Sequence, residues 1–299
     1  MACCQKLYED KYPERRSPAL SKTGKDYCIL LADLACAARH SVAPAEIDHV
    51  ILLVPHLERA VRAFGRAGFD VRSGGRFPPG VPFHNALVVF ENDLYIELLG
   101  VRRRAHRLLA RVADRIGLWS NRFERRSLVE RRIFSLVGQP PGFVDVCVRV
   151  AELDVRQLAK ISGCPWEAVA MQRATASGAT AAWELAFPKD PRLPFVICDR
   201  TPRSIRIPAN VMHPNGVRRV ERLDLLVSRP DEVALAYALL FGLNAQMPIM
   251  SQGVSLLIGG GRPNDRRAVV PELTLSAPHS RASALDDLVT QHPGLRCAG

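Results

Sequence analysis

The sequence predicts an α+β fold built from tandem βαβββ modules, whose strands form a curved, cup-shaped mixed sheet with helices outside. Two observations carry this. Between residues 47 and 100 the hydrophobic period switches in the order strand, helix, strand, loop, strand, strand. The opening of that segment, IDHVILLVPHLERAVRAFGRAG, then returns in outline as FVDVCVRVAELDVRQLAKISG and again as VERLDLLVSRPDEVALAYALLFG. Each is a strand, a short break, a helix and a glycine, with starts roughly 75 to 95 residues apart, the pattern of repeated modules.

Residues 1–45 differ from the rest and are expected to be an N-terminal extension, partly disordered. They are polar and charged to Asp26, then carry a short apolar helical stretch (28–39), then Pro44. The body of the chain spans 46–277. Its first module (46–100) opens with a buried strand, Val50–Val54, which Pro55 ends. Apolar residues at 57, 60, 61 and 64 follow a helical period, and Gly68 stands where a C-terminal cap belongs. A short strand at 69–71 precedes segment 74–82, with three glycines and three prolines among nine residues, which must be a loop. Strands at 85–90 and 94–99 are joined by the polar turn Glu91-Asn92-Asp93. Residues 101–140 form an Arg-studded helical insertion, read either as a solvated face over the sheet or as a lid. The second module (143–200) has further strands at 180–187 and 193–199. The third (218–277) has strands at 253–258 and 272–276, and 278–299 is a C-terminal tail.

With 299 residues and 47% apolar content the chain can bury a sizeable core, and no apolar run approaches the ~20 residues of a membrane span. A cytoplasmic protein with no membrane partner is expected. The net charge of +11 is almost all arginine, concentrated in 101–132 without a nucleic-acid motif, so an anionic small-molecule ligand is favoured over nucleic acid. Eight cysteines occur with no CxxC and no zinc-finger spacing, so they read as reduced and structural. No P-loop, nucleophile elbow or dinucleotide fingerprint is present.

The candidates for chemistry lie on the strands. His49, Ile51 and Leu53 share one strand face, as do Asp145, Cys147 and Arg149 in module two. Glu97 sits in an otherwise apolar strand, where an unpaired carboxylate costs several kcal/mol, so it needs a metal, a cation or a donor as partner. Arg76 ends a glycine turn and His84-Asn85 opens the next strand. A guanidinium there offers a fork for carboxylate or phosphate. Arg149, between valines, is either paired to an acid or aimed at an anionic substrate.

Six short motifs in order resemble the glyoxalase-like branch of the vicinal oxygen chelate superfamily, the fold of glyoxalase I and extradiol dioxygenases. They are GGRF at 74–77, FHNAL at 83–87, YIEL at 95–98, CVRVAELD at 147–154, PFVICD at 194–199 and HPNGV at 213–217. The resemblance implies a metal held by a His on the first strand and a Glu on the last strand of each of two modules. Module one keeps His49 and Glu97. Module two aligns Asp145 with His49 and Cys198 with the second carboxylate, so a complete two-His, two-Glu set is absent. The resemblance then implies metal ligands His49, Glu97 and Asp145 for Fe, Mn or Zn, with His49 and His84 catalytic and His84 shuttling a proton. Arg76, Asn85 and Arg149 would bind substrate. The implied activity is lyase, isomerase or dioxygenase chemistry on a small, anionic, oxygen-rich metabolite. The alternative is a metal-free binding or sequestration protein using the same cup. A second copy of the chain completing the cup as a homodimer is compatible with either.

Overall fold

In a computed structural model the described residues are 45–75, 77, 81–102, 126–175, 178–208, 212–243, 248–261, 268–276 and 283–298. Residues 1–44, Arg76 and the 103–125 part of the expected insertion lie outside them.

Module one is β1 (Glu46–Val54), α1 (Leu57–Arg66), β2 (Arg72–Ser73), β3 (Phe83–Val89) and β4 (Tyr95–Val101). A helix, α2 (Leu128–Gly138), follows. Its Ser127 and Glu130 form a reciprocal capping box, which satisfies two amides at its start. Module two is β5 (Gly142–Arg149), α3 (Val155–Ser162), β6 (Trp166–Ala174), β7 (Thr180–Pro188) and β8 (Phe195–Asp199). The strand β6 escapes a sequence reading because every second side chain is exposed and its apolar face is interrupted by Arg173. A single helical turn, α4 (Arg203–Arg206), closes the module.

The two modules share one eight-stranded sheet, ordered β2-β3-β4-β1-β5-β8-β7-β6, joined where β1 and β5 run antiparallel. Within each module the first strand runs parallel to the last, β1 to β4 and β5 to β8. Strand alternation separates the two faces into different cores. Val50, Leu52, Val54, Val146 and Val148 point outward into the main core, while Ile51, Leu53, Leu99, Cys147 and Ile197 point into the cup.

The third unit builds a sheet of its own instead of extending the first. It comprises β9 (Val220–Val227), α5 (Pro230–Leu240), β10 (Ile249–Ser251), β11 (Val254–Gly260), β12 (Val269–Leu275), α6 (Ser283–Gln291) and β13 (Leu295–Cys297). The strand order is β10-β11-β9-β12-β13, with β9 antiparallel to β12, β9 parallel to β11 and β12 parallel to β13. This repeats the first sheet in short form. Residues 283–297, expected as a tail, supply its last helix and strand because Leu285, Leu288 and Leu295 are buried. The main core runs continuously from the outer face of the first sheet through Phe64 and Tyr237 to Leu223, Leu225, Leu273 and Leu275 of the second.

The HPNG segment is a turn that ties the two sheets together. Asn215 donates from its backbone to the Gly68 carbonyl (3.1 Å) and from its side chain to the Ala67 carbonyl (2.8 Å), satisfying the end of α1. Gly68 has φ +79°, and a Cβ there would strike Asn215, so both conformation and space demand glycine. His213 is buried between Phe69 and Phe90 and accepts from the Asp70 amide at 3.1 Å.

Candidate functional site

The cup encloses a cavity of about 330 Å³, walled mainly by apolar side chains from β3, β4, β6, β7, β8 and α2, Trp183, Phe187 and Phe195 among them. Val129, Ile133 and Leu136 of α2 line it, so the insertion contributes a wall through this helix. Module one contributes His49, Asn85, Tyr95 and Glu97 to the polar part of the lining, and α2 and module two contribute the rest.

His49 is the centre of the module-one group. A β-bulge leaves Asp48 without a partner on β5: Ile47 pairs with Val148 and His49 with Cys147. The extra residue lets Asp48 and His49 act together, since a bulge re-aims the side chains beside it. Asp48 Oδ2 lies 2.9 Å from His49 Nδ1, and Glu97 Oε2 lies 3.4 Å from His49 Nε2. The imidazole therefore bridges two carboxylates. Tyr95, opposite His49 on β4, stacks on its ring at 4.6 Å, and Phe195 meets it edge-on at 5.4 Å.

Asp48 is fully buried. Burial alone would raise its pKa, but Arg206, His49 and Arg203 together hold the carboxyl well below its usual range. Arg203 and Arg206 lie three residues apart on α4 and so present one face. Arg203 Nε reaches Asp48 at 3.2 Å, and Arg206 reaches it through two nitrogens at 3.2 and 3.3 Å. Arg206 also grips Asp199 at 2.7 and 3.0 Å and donates to the Tyr95 hydroxyl at 3.1 Å. The ionised Asp48 is an acceptor for His49 Nδ1, which leaves Nε2 facing Glu97. Glu97 is steadied by Asn85, whose Nδ2 donates to Oε1 at 2.5 Å. The Asn85 amide fills the space that a side chain at Gly74 would occupy. The glycine turn thus admits Asn85 to Glu97.

On the module-two side a second bulge leaves Val144 unpaired, between Ile51–Asp145 and Leu52–Phe143. The two bulges, at Asp48-His49 and Val144-Asp145, are related by the repeat and place Asp145 at the counterpart of His49. Asp145 does line the cavity, yet both its oxygens are taken by Arg132 of α2, at 2.7 and 2.5 Å. Arg132 is as buried as its partner and also donates to the carbonyls of Pro191 and Leu193, each at 3.0 Å. The strand register corrects the other expected position. Glu97 stands opposite Ile51 as Phe195 stands opposite Cys147, so the counterpart of Glu97 is Phe195, not Cys198. Cys198 belongs to the outer core, its thiol against the Ala151 carbonyl.

These donors do not fit the divalent metal that the fold implies. Asp145 is neutralised by Arg132, Phe195 offers no ligand atom, and His49 with Glu97 is only half of a set. Asp48, His49 and Cys147 place donor atoms within 4.8 Å of one another. However, Asp48 is held by two guanidinium groups, and burial, then Asp48, pushes the Cys147 thiol well above its ordinary pKa, against the thiolate a metal needs.

Of the expected site residues, His49, Glu97, Asn85 and Asp145 line one cavity. His84 does not, because its neighbour Asn85 takes the inward face of β3. His84 instead packs at Gly100 and lies 3.9 Å from Glu58 of α1. Arg149, at the end of β5, pairs with Glu46 across the β1–β5 seam and is absent from the cavity wall. Arg76 lies outside the described residues. Sequence reasoning missed Arg132, Arg203 and Arg206, which reach the site from helices, and Arg173 on β6. Arg173 donates to the carbonyls of Gly74 and Arg206, the latter at 2.7 Å, and its guanidinium carbon is 5.7 Å from the Trp183 ring.

The glyoxalase-like domain family matches residues 47–241. No curated protein sequence matches the chain. Among solved structures, a hypothetical protein from Staphylococcus aureus is similar at TM-score 0.53 and 15% identity, covering 80% of this chain and 93% of that one, which is a likeness of fold. Methylmalonyl-CoA epimerase from Mycobacterium tuberculosis (TM-score 0.34, 17% identity, 56% of this chain and 97% of that one) is more distant. So is a xylose isomerase-like TIM barrel/4-hydroxyphenylpyruvate dioxygenase fusion protein (0.43, 12%, 88% and 44%). The match covers both modules of the cup, together with the linker after it and the opening of the third unit, and the chain belongs to the glyoxalase-like domain family of the vicinal oxygen chelate superfamily.

Proposed function

We propose that this chain is a glyoxalase-like enzyme that moves a proton on a small oxygen-bearing metabolite by acid–base chemistry of His49 and Glu97, without a divalent metal. The observation that carries the reading is the line Asp48–His49–Glu97 at the cavity wall. Asp48 fixes the tautomer, as the buried acid of a catalytic triad does. With the shared proton on Nε2, Glu97 is a carboxylate able to accept a proton from a ligand carbon next to a carbonyl. The imidazolium beside it then gives its Nε2 proton to the carbonyl oxygen, so one proton leaves the ligand and one arrives. Asn85 holds the carboxylate in place, and the apolar walls exclude water, which strengthens both transfers.

The test is proton–deuterium exchange in deuterium oxide, followed by NMR, on a panel of small 2-oxo and 2-hydroxy carboxylates. The wild type should accelerate exchange on at least one of them, and Glu97→Gln should lose that by about a hundredfold or more. Exchange no faster than in buffer across the panel, or exchange that requires added Fe, Mn or Zn, would sink the reading. The second reading, a binding or sequestration protein, is favoured by Asp145, the counterpart of His49, being tied up by Arg132, and by Phe195 standing at the counterpart of Glu97. It predicts tight ligand binding with no exchange.

A further inference from the structure

The cavity cations are not equivalent. Arg132 is neutralised by Asp145, and Arg206 by Asp48 and Asp199. Arg173 has no carboxylate within ion-pair distance among the described residues. Its two bonds go to neutral backbone carbonyls, which uses two of five N–H donors. Glu97 acts on its charge through space but makes no bond to it. Burial lowers its pKa, the sign of a charge held partly out of water without full compensation. A Cβ at Gly75 would collide with its Nη1, so the glycine pair at 74–75 admits this guanidinium as well as Asn85. Beside these groups and Arg206, the wall near it carries the apolar side chains Val169, Met171, Trp183 and Leu185.

We infer that Arg173 binds the carboxylate of the ligand, and that the ligand class is a small monocarboxylate with an apolar body. The carboxylate supplies the counter-charge the protein withholds, and a guanidinium fork suits its two oxygens. The body lies along Trp183 and Leu185, in a cavity at the small end for ligand sites. The assignment shares its cavity with the acid–base reading above and rests on it for the fate of the ligand, but not for binding.

The experiment is isothermal titration calorimetry of the full chain with 3-phenylpropanoate and with its neutral isostere 3-phenylpropanamide. The wild type should bind the carboxylate at least about tenfold more tightly than the amide, the worth of a hydrogen bond to a charged group. Arg173→Gln should remove that preference by weakening the carboxylate far more than the amide, and Arg173→Lys should restore part of it. Equal binding of the two probes by the wild type, failure of the carboxylate to bind at millimolar concentration, or an equal loss for both probes in Arg173→Gln would each overturn the assignment. Should Arg173→Gln fold poorly by circular dichroism, the wild-type ratio and Arg173→Lys still decide. If the preference follows Arg173 while Glu97→Gln leaves proton exchange unaltered, the carboxylate site stands and the acid–base reading falls.

Discussion

Replacing Arg132 by alanine strands a carboxylate in the cup wall. The guanidinium spends two bonds on Asp145 and two on the carbonyls of Pro191 and Leu193, and both members of the ion pair are almost wholly buried. After the substitution Asp145 keeps only the Val146 amide, at 2.8 Å, among its bonds. Breaking a buried pair by removing one partner costs about 3–5 kcal/mol, because the other charge stays behind. At roughly 2–4 °C per kcal/mol for a body of this size, the melting temperature should fall by about 6–20 °C. The assay is thermal unfolding by circular dichroism at neutral pH. The double variant Arg132→Met with Asp145→Leu removes both charges and refills the volume, so it should recover most of the loss. A drop under about 3 °C in the single variant, or a double variant no more stable than the single, would refute the claim that this pair anchors α2 to the sheet.

Three further outcomes are expected. Gly74→Ala places a methyl group where the Asn85 amide packs, so Glu97 loses its donor and proton exchange should fall by about tenfold with little change in melting temperature; unchanged exchange would mean that Asn85 does not hold Glu97. Burial holds the His213 and His292 imidazoles below their ordinary pKa, so their contribution to stability is present above about pH 6.5 and is lost as pH falls through the folded values. The melting temperature should therefore decline from pH 7 to pH 5, less steeply in His213→Gln, and equal slopes would refute that role for His213. Elemental analysis of protein purified without chelator should find well under one Fe, Mn or Zn per chain, with the melting temperature indifferent to EDTA; one tightly held ion lost in both His49→Ala and Glu97→Ala would overturn the reading of the donor set.

Strand periodicity made half of the site legible. Counting by two along β1 and β4 puts His49 and Glu97 on inward faces, and the repeat puts Asp145 beside them. The same parity rule applied to His84-Asn85 allows only one of the two into the cup, and the structure places Asn85 there. Arg149 shares parity with Asp145 but stands at the strand end, where Glu46 is opposite, and parity is silent about partners across a seam. What periodicity could not reach is the set of arginines. Arg132, Arg203 and Arg206 sit on helices far from His49 in sequence, and their meeting depends on tertiary packing. Arg173 was hidden because β6 is an edge strand that alternates between intermediate and exposed side chains and carries no buried run. The second sheet was half legible: its first strand and helix repeat the module pattern, while β10 and β13 are three residues each and carry no period.

The two sheets have consequences for the order in which the chain can fold. In the first, the seam joins His49 to Cys147; in the second it joins Leu223 to Leu273, a loop about half as long. Closing the shorter loop is favoured by about 0.6 kcal/mol, roughly threefold in population, before any side chain has packed. The C-terminal sheet therefore gains its central pair of strands first, and Leu273 and Leu275 then stand as a finished apolar surface on which β5 docks. During refolding, amides of β9 and β12 should gain protection from exchange ahead of those of β1 and β5. The cup is then expected to close last, on a foundation made of its own shortened copy.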